Sequence, residues 1–560
     1  MLNSTKIADI KLSFYLILAL LYSLILACFV EHRVFTDSLA INDDVRNQIY
    51  WLARIKHSTL FQSDYIASYF TQPLLVSPIL FGLYSVFSLW VNPIVVTQIF
   101  PFFLVLIATF FLFKVCAHYR DEVYAFWVTY SFNTSIWILK NLSGGLPRAF
   151  FYPVLFAFFW AIQVRQWVFL TIIVYFASLV YPPASLLCLC ILLMESVRLR
   201  RDKDALARFK CLGITLAGVI LIAFIRLGMQ SQSNEFGPLF NNGLAEQMRD
   251  FYLGGRVVLF FLPLSLSCKL QSLVFPGNMV FAVIQRLPQL YILIPLLIFG
   301  ILKTLYDRYL RPHLIGFEIP TLVKTTLYSS FLLYGLAWIF LFYLYVPERY
   351  LEYTLFMVPP FILGGFVDSL IKQYPNSKRL ISISFIAITL FATHFFWRAD
   401  LMKISMRERL LYSFLKKVPE RAMIAASPGL ANNIPAYAFK SVILSNEAYI
   451  PFHQTYFREM KTRLKDWLAA YYSTKPQPVF NFIHKYHINY IILQQKDFQP
   501  DRLEAMAHHS YYAFSDPFYN TLKQSQLEKY YLWQLPASCF IYQTDDFKVL
   551  DTKKCWPKVD

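Results

Sequence analysis

The chain has 560 residues, 57% of them hydrophobic and 15% charged, with a formal net charge of +18. Average soluble domains carry about 25% charged residues, so the composition excludes an ordinary soluble domain. Most clustered Lys and Arg flank apolar runs, which is the topology signal of membrane proteins and not a signal for nucleic acid. Recurring apolar runs of about 16–25 residues match the hydrocarbon core of a bilayer and predict an α-helical polytopic membrane protein.

In chain order, the first apolar run covers 12–30, after Lys6 and Lys11. These lysines predict a cytoplasmic N-terminus. The run is long and no A-x-A site follows it, so it reads as an uncleaved anchor and not as a signal peptide; ILAC, ending at Cys28, only faintly resembles a lipoprotein cleavage box. A first outer loop with interfacial helices follows at 31–76. Apolar runs then come at 77–91, 93–113, 122–139, 149–164, 167–181, 183–195, 211–228, 287–302, 324–346, 351–371 and 380–396. The basic stretches at 198–210, 303–313 and 372–379 are placed inside. With Lys114, His118, Arg120 and Arg165 also inside, 77–113 makes one net crossing, which leads to about eleven spans; the alternative is that both its halves cross and 167–197 is a single broken helix. The segment 230–286 is predicted to be a second large outer loop with short helices lying on the membrane.

Residues 1–396 therefore form a transmembrane domain, and the polar tail 397–560 a small extracytoplasmic α/β domain. Strand-like runs occur at MIAAS (423–427), SVILS (441–445) and YIILQ (490–494), with a helical pattern at 455–472. Of eight cysteines, Cys28, Cys188, Cys190 and Cys211 fall in or beside apolar runs as packing residues. Cys539 and Cys555 lie in the tail, where an oxidising compartment would allow them to pair. No CxxC or His/Cys cluster has zinc spacing, and no GxxxxGK[ST] or GxGxxG points to a nucleotide.

The stretch INDDVRNQIYWLARI, from Ile41 to Ile55, carries the most chemistry. Asn42 can cap a helix with Asp43 and Asp44 in its first turn. Val45, Ile49, Leu52 and Ile55 recur at helical spacing, and Tyr50 and Trp51 suit a membrane interface. Two acids at a helix N-terminus need no further function. Alternatively, one of them is a general base: transfer of a sugar to a hydroxyl needs a carboxylate to accept the hydroxyl proton. The leaving lipid phosphate then calls for Arg or Lys.

A first span, a long outer loop opening with paired acids, interfacial helices and then many spans together resemble the GT-C class of polytopic glycosyltransferases. The strings DDVRNQIYWLARI, LFQSDYIASYF, GLPRAFFYP (145–153), YPP (181–183), GGR (254–256) and PERY (347–350), with IAASPGLANNIPAYAFKSVILSNE in the tail, are similar to a group of bacterial membrane proteins related to that class. The resemblance spans most of the chain. It implies the bacterial inner membrane and a donor of the type used by polyprenyl-phosphate-sugar-dependent mannosyl- and arabinosyltransferases. The acceptor would be a glycan, lipid or protein on the outer face. In the class, the acid of the first outer loop acts as base or assists a divalent cation. By position Asp43 or Asp44 inherits that role, Asp43 by preference. The class often has Glu second and this chain has Asp, so the choice between them stays open.

Other candidates each carry a plainer alternative. Arg148 is placed to grip a lipid phosphate, or to snorkel to the interface. Arg349 lies in a short outer turn, where it serves the phosphate or pairs with Glu348 or Glu352. Arg256 follows two flexible glycines suited to close ligand approach, or is a loop arginine. His57 and Asp64 complete the first loop, where a lone His is more often structural. Tyr181 and the two prolines after it break a helix and could shape a groove. Glu447 and His453 read as the surface of the tail domain, with acceptor recognition the lesser alternative. A transporter or flippase of a lipid-linked or small polar substrate would show mid-span charges or inverted repeats. Arg226 is the main such charge, and no repeat is found. A non-catalytic scaffold would tolerate loss of the first-loop acids. A glycan polymerase or ligase would share the lipid-linked substrate.

Overall fold

A computed structural model describes residues 13–37, 39–73, 75–231, 234–251, 319–344, 346–394, 401–499 and 529–556. Arg256, the apolar run 287–302, the basic stretch 303–313 and most of the second outer loop lie outside the described residues.

The membrane part is helical, and its helix starts follow local capping chemistry. Helix α1 (Phe14–Val30) opens on Ser13, whose side chain accepts from the Leu16 N–H. After α2 (His32–Thr36), α3 (Val45–Gln48) and α4 (Tyr65–Phe70), helix α5 (Pro78–Phe87) starts with proline behind the Ser77 cap. Helix α6 (Pro93–Tyr119) repeats that device with Asn92. Proline suits this position because its missing N–H would be unpaired there anyway. Within 77–113, α5 has 10 residues and is about 15 Å long, while α6 has 27 and reaches about 40 Å.

The next stretch is broken. Helix α7 (Glu122–Thr134) ends at extended Ser135, and α8 (Ile136–Leu142) leads into a tight Ser143–Gly145 turn. Pro147 opens a further turn into α9 (Phe151–Gln163), and the chain bends by 120° between these two pieces. Helices α10 (Trp167–Val180) and α11 (Pro182–Arg198) are separated at Tyr181 by the proline pair, as the sequence predicts. Helix α12 (Ala205–Ser231) carries exposed Ile214, Leu221 and Phe224, an apolar outer face suited to lipid. Then come the short α13 (Asn242–Ala245), α14 (Thr321–Ile339), α15 (Glu348–Gln373) and α16 (Lys378–His394).

By length and composition, α6, α12 and α15 are each long and apolar enough to cross a membrane, and the bent piece makes a fourth if counted as one. Helices α1, α11 and α16, of 17 residues, and α14, of 19, fall at the short end of the spanning range. The chain is a multi-pass membrane protein. Its helices α7 and α15 pack backbone to backbone: a Cβ on Gly364 would sit 2.5 Å from the Val128 nitrogen. Small residues permit such approach where lipid supplies no hydrophobic drive. At one end of this pair Arg120 binds buried Asp368 at 3.0 Å, and Lys372 binds Asp368 at 3.1 Å and Asp121 at 2.5 Å.

The tail is a small α/β domain, as expected. Helix α17 (Met406–Leu415) has a Ser405/Glu408 capping box. Strands β1 (Met423–Ala425), β2 (Ser441–Val442), β3 (Tyr490–Gln494), β4 (Phe540–Gln543) and β5 (Phe547–Asp551) form one sheet in the order β2-β1-β3-β5-β4. Strand β1 is parallel to β2 and β3, whereas β5 is antiparallel to β3 and β4. The short α18 (Pro428–Ala431) and α19 (Ile434–Ala438) lie between β1 and β2. Helices α20 (Gln454–Tyr471) and α21 (Pro476–Tyr486) precede β3, and α20 buries Trp467 completely. A disulfide joins Cys539 to Cys555 beside α22 (Thr552–Cys555).

The two parts share one core. Tyr69 of α4 stacks on Tyr456 of α20 with ring centroids 3.5 Å apart. Backbone bridges join Asn42 to Leu401 and Leu239 to His453. The Tyr437 hydroxyl donates to the Leu39 carbonyl at 3.0 Å. The first outer loop is thus clamped between the membrane helices and the tail.

Candidate active site

The paired acids are set by Asn42, which is 2% exposed. Its Oδ1 accepts from the Asp44 N–H at 3.1 Å, and its Nδ2 donates to the Ser143 hydroxyl at 3.4 Å. Gly144, at φ +80°, lies directly against it: a Cβ there would meet the Asn42 Cβ at 2.8 Å. This corrects the expected helix with Asn42 as cap and both acids in its first turn. Helix α3 starts only at Val45 and has four residues, and a 3-10 turn, Tyr50–Ile55, follows. Both carboxylates precede the helix, and each is paired with an arginine.

Asp43 binds Arg46, whose Nε donates to Oδ1 at 2.8 Å and whose Nη2 also bonds that oxygen. Arg46 continues to Asn433 of the tail. Asp44 binds Nη1 of Arg148, the arginine of the bent turn after Gly145. Arg148 thus has a carboxylate partner where snorkelling was the plainer reading. Its buried Nε has no hydrogen-bond partner among the described residues. Arg349, at the start of α15, donates from Nη1 to Glu352 at 3.1 Å and to the Tyr353 hydroxyl at 3.2 Å. The expected Glu352 pairing is therefore present. Buried Tyr353 lies within electrostatic reach of both Arg148 and Arg349, and its ring meets that of Tyr181 edge-on at 6.3 Å.

One cavity of about 880 Å³ is lined by Asp43, Asp44, Arg148, Tyr181, Glu348 and Arg349 together. Its apolar wall includes Leu80 and Phe81 of α5 and Val219, Ile222 and Ala223 of α12. The arrangement juxtaposes three guanidinium groups, of Arg148, Arg226 and Arg349, four carboxylates, of Asp43, Asp44, Glu348 and Glu447, and an apolar wall. That combination can hold a phosphate monoester or diester carrying a hydrocarbon chain.

His57 is exposed and does not line this cavity. Asp64 does not line it either. It caps α4, accepting from the Ile66 and Ala67 N–H groups at 2.9 and 3.0 Å, and burial pushes its carboxyl above the usual range. The cavity also contains residues that the sequence reading places outside the site. His453, 6% exposed, and Glu447 line it, which corrects their reading as tail surface. The cause is the bridge that pins His453 to Leu239 and the seating of α20 on α4. Arg226 of α12 reaches the rim and donates to the carbonyls of Val76 at 2.8 Å and Pro73 at 2.9 Å. As a charge inside an apolar run, it was visible beforehand. Among the described residues no three His, Cys, Asp or Glu side chains converge as a metal site.

No family model matches this sequence, and no curated protein matches it. Solved structures resemble it. One is the Archaeoglobus fulgidus oligosaccharyltransferase in complex with Zn and sulfate, with TM-score 0.50 and 11% identity over 88% of this chain and 69% of that chain. The same protein in its apo form gives TM-score 0.48 and 11% identity over 89% and 71%. The archaeal oligosaccharyltransferase AglB from Archaeoglobus fulgidus, in complex with an inhibitory peptide and a dolichol-phosphate, gives TM-score 0.47 and 11% identity over 89% and 71%. The first of these likenesses shows the fold, which is of GT-C type.

Proposed function

We propose that the chain is a membrane glycosyltransferase that moves a sugar from a polyprenyl-phosphate-linked donor to an acceptor on the outer face of a bacterial inner membrane. The N-terminus is cytoplasmic, the tail domain is extracytoplasmic, and the acceptor is a glycan, lipid or protein. The observation that carries this reading is the single cavity where Asp43, Asp44, Arg148 and Arg349 meet beside an apolar wall.

In the proposed reaction the acceptor hydroxyl oxygen attacks the anomeric carbon as the bond from that carbon to the phosphate oxygen breaks. Asp43, whose side chain is 45% exposed, takes the hydroxyl proton. Asp44 acts on Arg148, holding the guanidinium toward the phosphate. Arg349, oriented by Glu352 and Tyr353, joins it on the leaving polyprenyl phosphate, whose negative charge grows as the bond breaks. Attack from the side opposite the phosphate inverts the anomeric centre. The apolar residues of α5 and α12 accommodate the polyprenyl chain. No step is routed through a metal, since the described residues bring no third ligand to the paired acids. Arg226, the mid-span charge that would favour a transporter, is engaged by backbone carbonyls at the rim.

The test is turnover of radiolabelled polyprenyl-phosphate sugars by protein purified with native lipids, with Asp43→Asn, Asp44→Asn and Arg349→Ala beside wild type. Asp43→Asn is expected to lower kcat by roughly 10²–10⁴-fold. Asp44→Asn and Arg349→Ala should raise the donor KM as well. Unchanged turnover in both Asp variants would refute the reading.

A further inference from the structure

His453 belongs to the tail, yet it faces the same cavity as Asp44, Arg148 and Arg349. Its position is tightly held. Its backbone is bridged to Leu239, and its carbonyl accepts from the Phe457 N–H at 2.9 Å. Its ring meets the Tyr69 ring edge-on at 5.5 Å, and Nδ1 is bonded to the Tyr69 hydroxyl at 3.0 Å. Tyr69 is itself fully buried, so this bond fixes the imidazole. With Nδ1 taken, Nε2 has no bond among the described residues and is the atom the ring has left to offer a ligand.

The charge of that partner follows from the surroundings. Burial pushes the imidazole down to about 4, so it is neutral at physiological pH. A neutral imidazole offers one donor or one acceptor without charge, so it adds little to a phosphate that two arginines hold in the proposed reaction. Its match is an uncharged hydroxyl. We infer that His453 is a specificity-determining residue for a neutral sugar hydroxyl, and that the tail domain completes the substrate site by carrying it. This rests on the glycosyltransferase reading. The hydroxyl belongs either to the sugar on the donor or to the acceptor.

Three variants separate ligand contact from packing. His453→Gln keeps an amide near the Nε2 position, His453→Asn keeps a partner only for Tyr69, and Tyr69→Phe removes the Nδ1 bond. The probes are polyprenyl-phosphate mannose, bare polyprenyl phosphate and a panel of alkyl glycosides as acceptors. If the donor sugar is the partner, His453→Asn lowers the preference for mannosylated over bare carrier by about 10-fold or more. His453→Gln should restore much of it, with affinity for the bare carrier unchanged. If the acceptor is the partner, that preference stays and the acceptor KM rises by a similar factor in His453→Asn. Wild-type values in both His453 variants would overturn the inference while leaving the glycosyltransferase reading intact. So would equal loss of bare and mannosylated carrier in all three variants with lowered melting temperatures, which marks packing alone. Wild type that neither distinguishes the two carriers nor transfers sugar would overturn the glycosyltransferase reading and this inference with it.

Discussion

Gly144→Ala should damage both stability and catalysis, although Gly144 carries no functional group. The residue sits at φ +80°, where an L side chain costs about 1–2 kcal/mol. The new Cβ would also meet the Asn42 Cβ at 2.8 Å and the Val45 Cγ2 at 3.0 Å. Neither is the loose end of a flexible chain: Asn42 is 2% exposed and bonded on both sides. Overpacking of this kind adds about 1–3 kcal/mol, for a total of roughly 2–5 kcal/mol. The strain passes to the acid because Asn42 Oδ1 holds the Asp44 N–H. A misplacement of about 1 Å at reacting groups costs on the order of 10²-fold in rate. The assay is thermal inactivation of the purified protein, followed by turnover per folded molecule at a permissive temperature. Gly335→Ala is the control: a Cβ there meets nothing within 4 Å, and alanine in a helix interior gains about 0.5–1 kcal/mol. Wild-type melting and turnover in Gly144→Ala would refute the steric reasoning. Lost stability with unchanged turnover per folded molecule would refute the link from the turn to Asp44.

Glu31, just past α1, is 4% exposed, and burial pushes its carboxyl up to about 6 from 4.5. Between those values the folded protein keeps a proton that the unfolded chain has released. Stability therefore falls as pH rises through that window, by about 2 kcal/mol at neutrality. Glu31→Gln should flatten this slope in melts from pH 4.5 to 7.5; an unaltered slope would show that Glu31 does not cause it. The Cys539–Cys555 link closes a loop of 16 residues, worth about 3 kcal/mol to the tail. Cys539→Ser with Cys555→Ser should speed proteolysis within the tail, read as fragment appearance on gels, and leave cleavage of the membrane part unchanged. Arg226→Met leaves the Pro73 and Val76 carbonyls without its donors, at about 1–3 kcal/mol each. The cavity rim loosens, so the donor KM should rise more than kcat falls. Equal melting temperatures and kinetic constants would count against the clamp.

Local features were readable along the chain. Ser77, Asn92 and Asp121 mark helix starts by their own side chains. The break at Tyr181 follows from its two prolines. The Arg349–Glu352 pair spans three residues of one helix, so the sequence could propose it. The first outer loop was harder. Helical spacing over 41–55 suggested one amphipathic helix, but α3 starts only after Asp43 and Asp44, each paired with an arginine. A buried core beneath Tyr50 and Trp51 then tightens the chain into a 3-10 turn. His453 looked like tail surface because nothing local reveals that α20 will stack on α4.

The sequence by itself determined that this is a multi-pass membrane protein with a small α/β tail. Hydropathy, capping and strand alternation are properties of consecutive residues, and burial in lipid or in a sheet responds to them directly. It also singled out Asp43, Asp44, Arg148 and Arg349, which line one cavity. Only the tertiary structure decided that Asp44 holds Arg148, 104 positions away, and that His453 shares their cavity. Such pairings depend on how whole helices and the tail pack, and a bond across that distance leaves no periodicity in the chain.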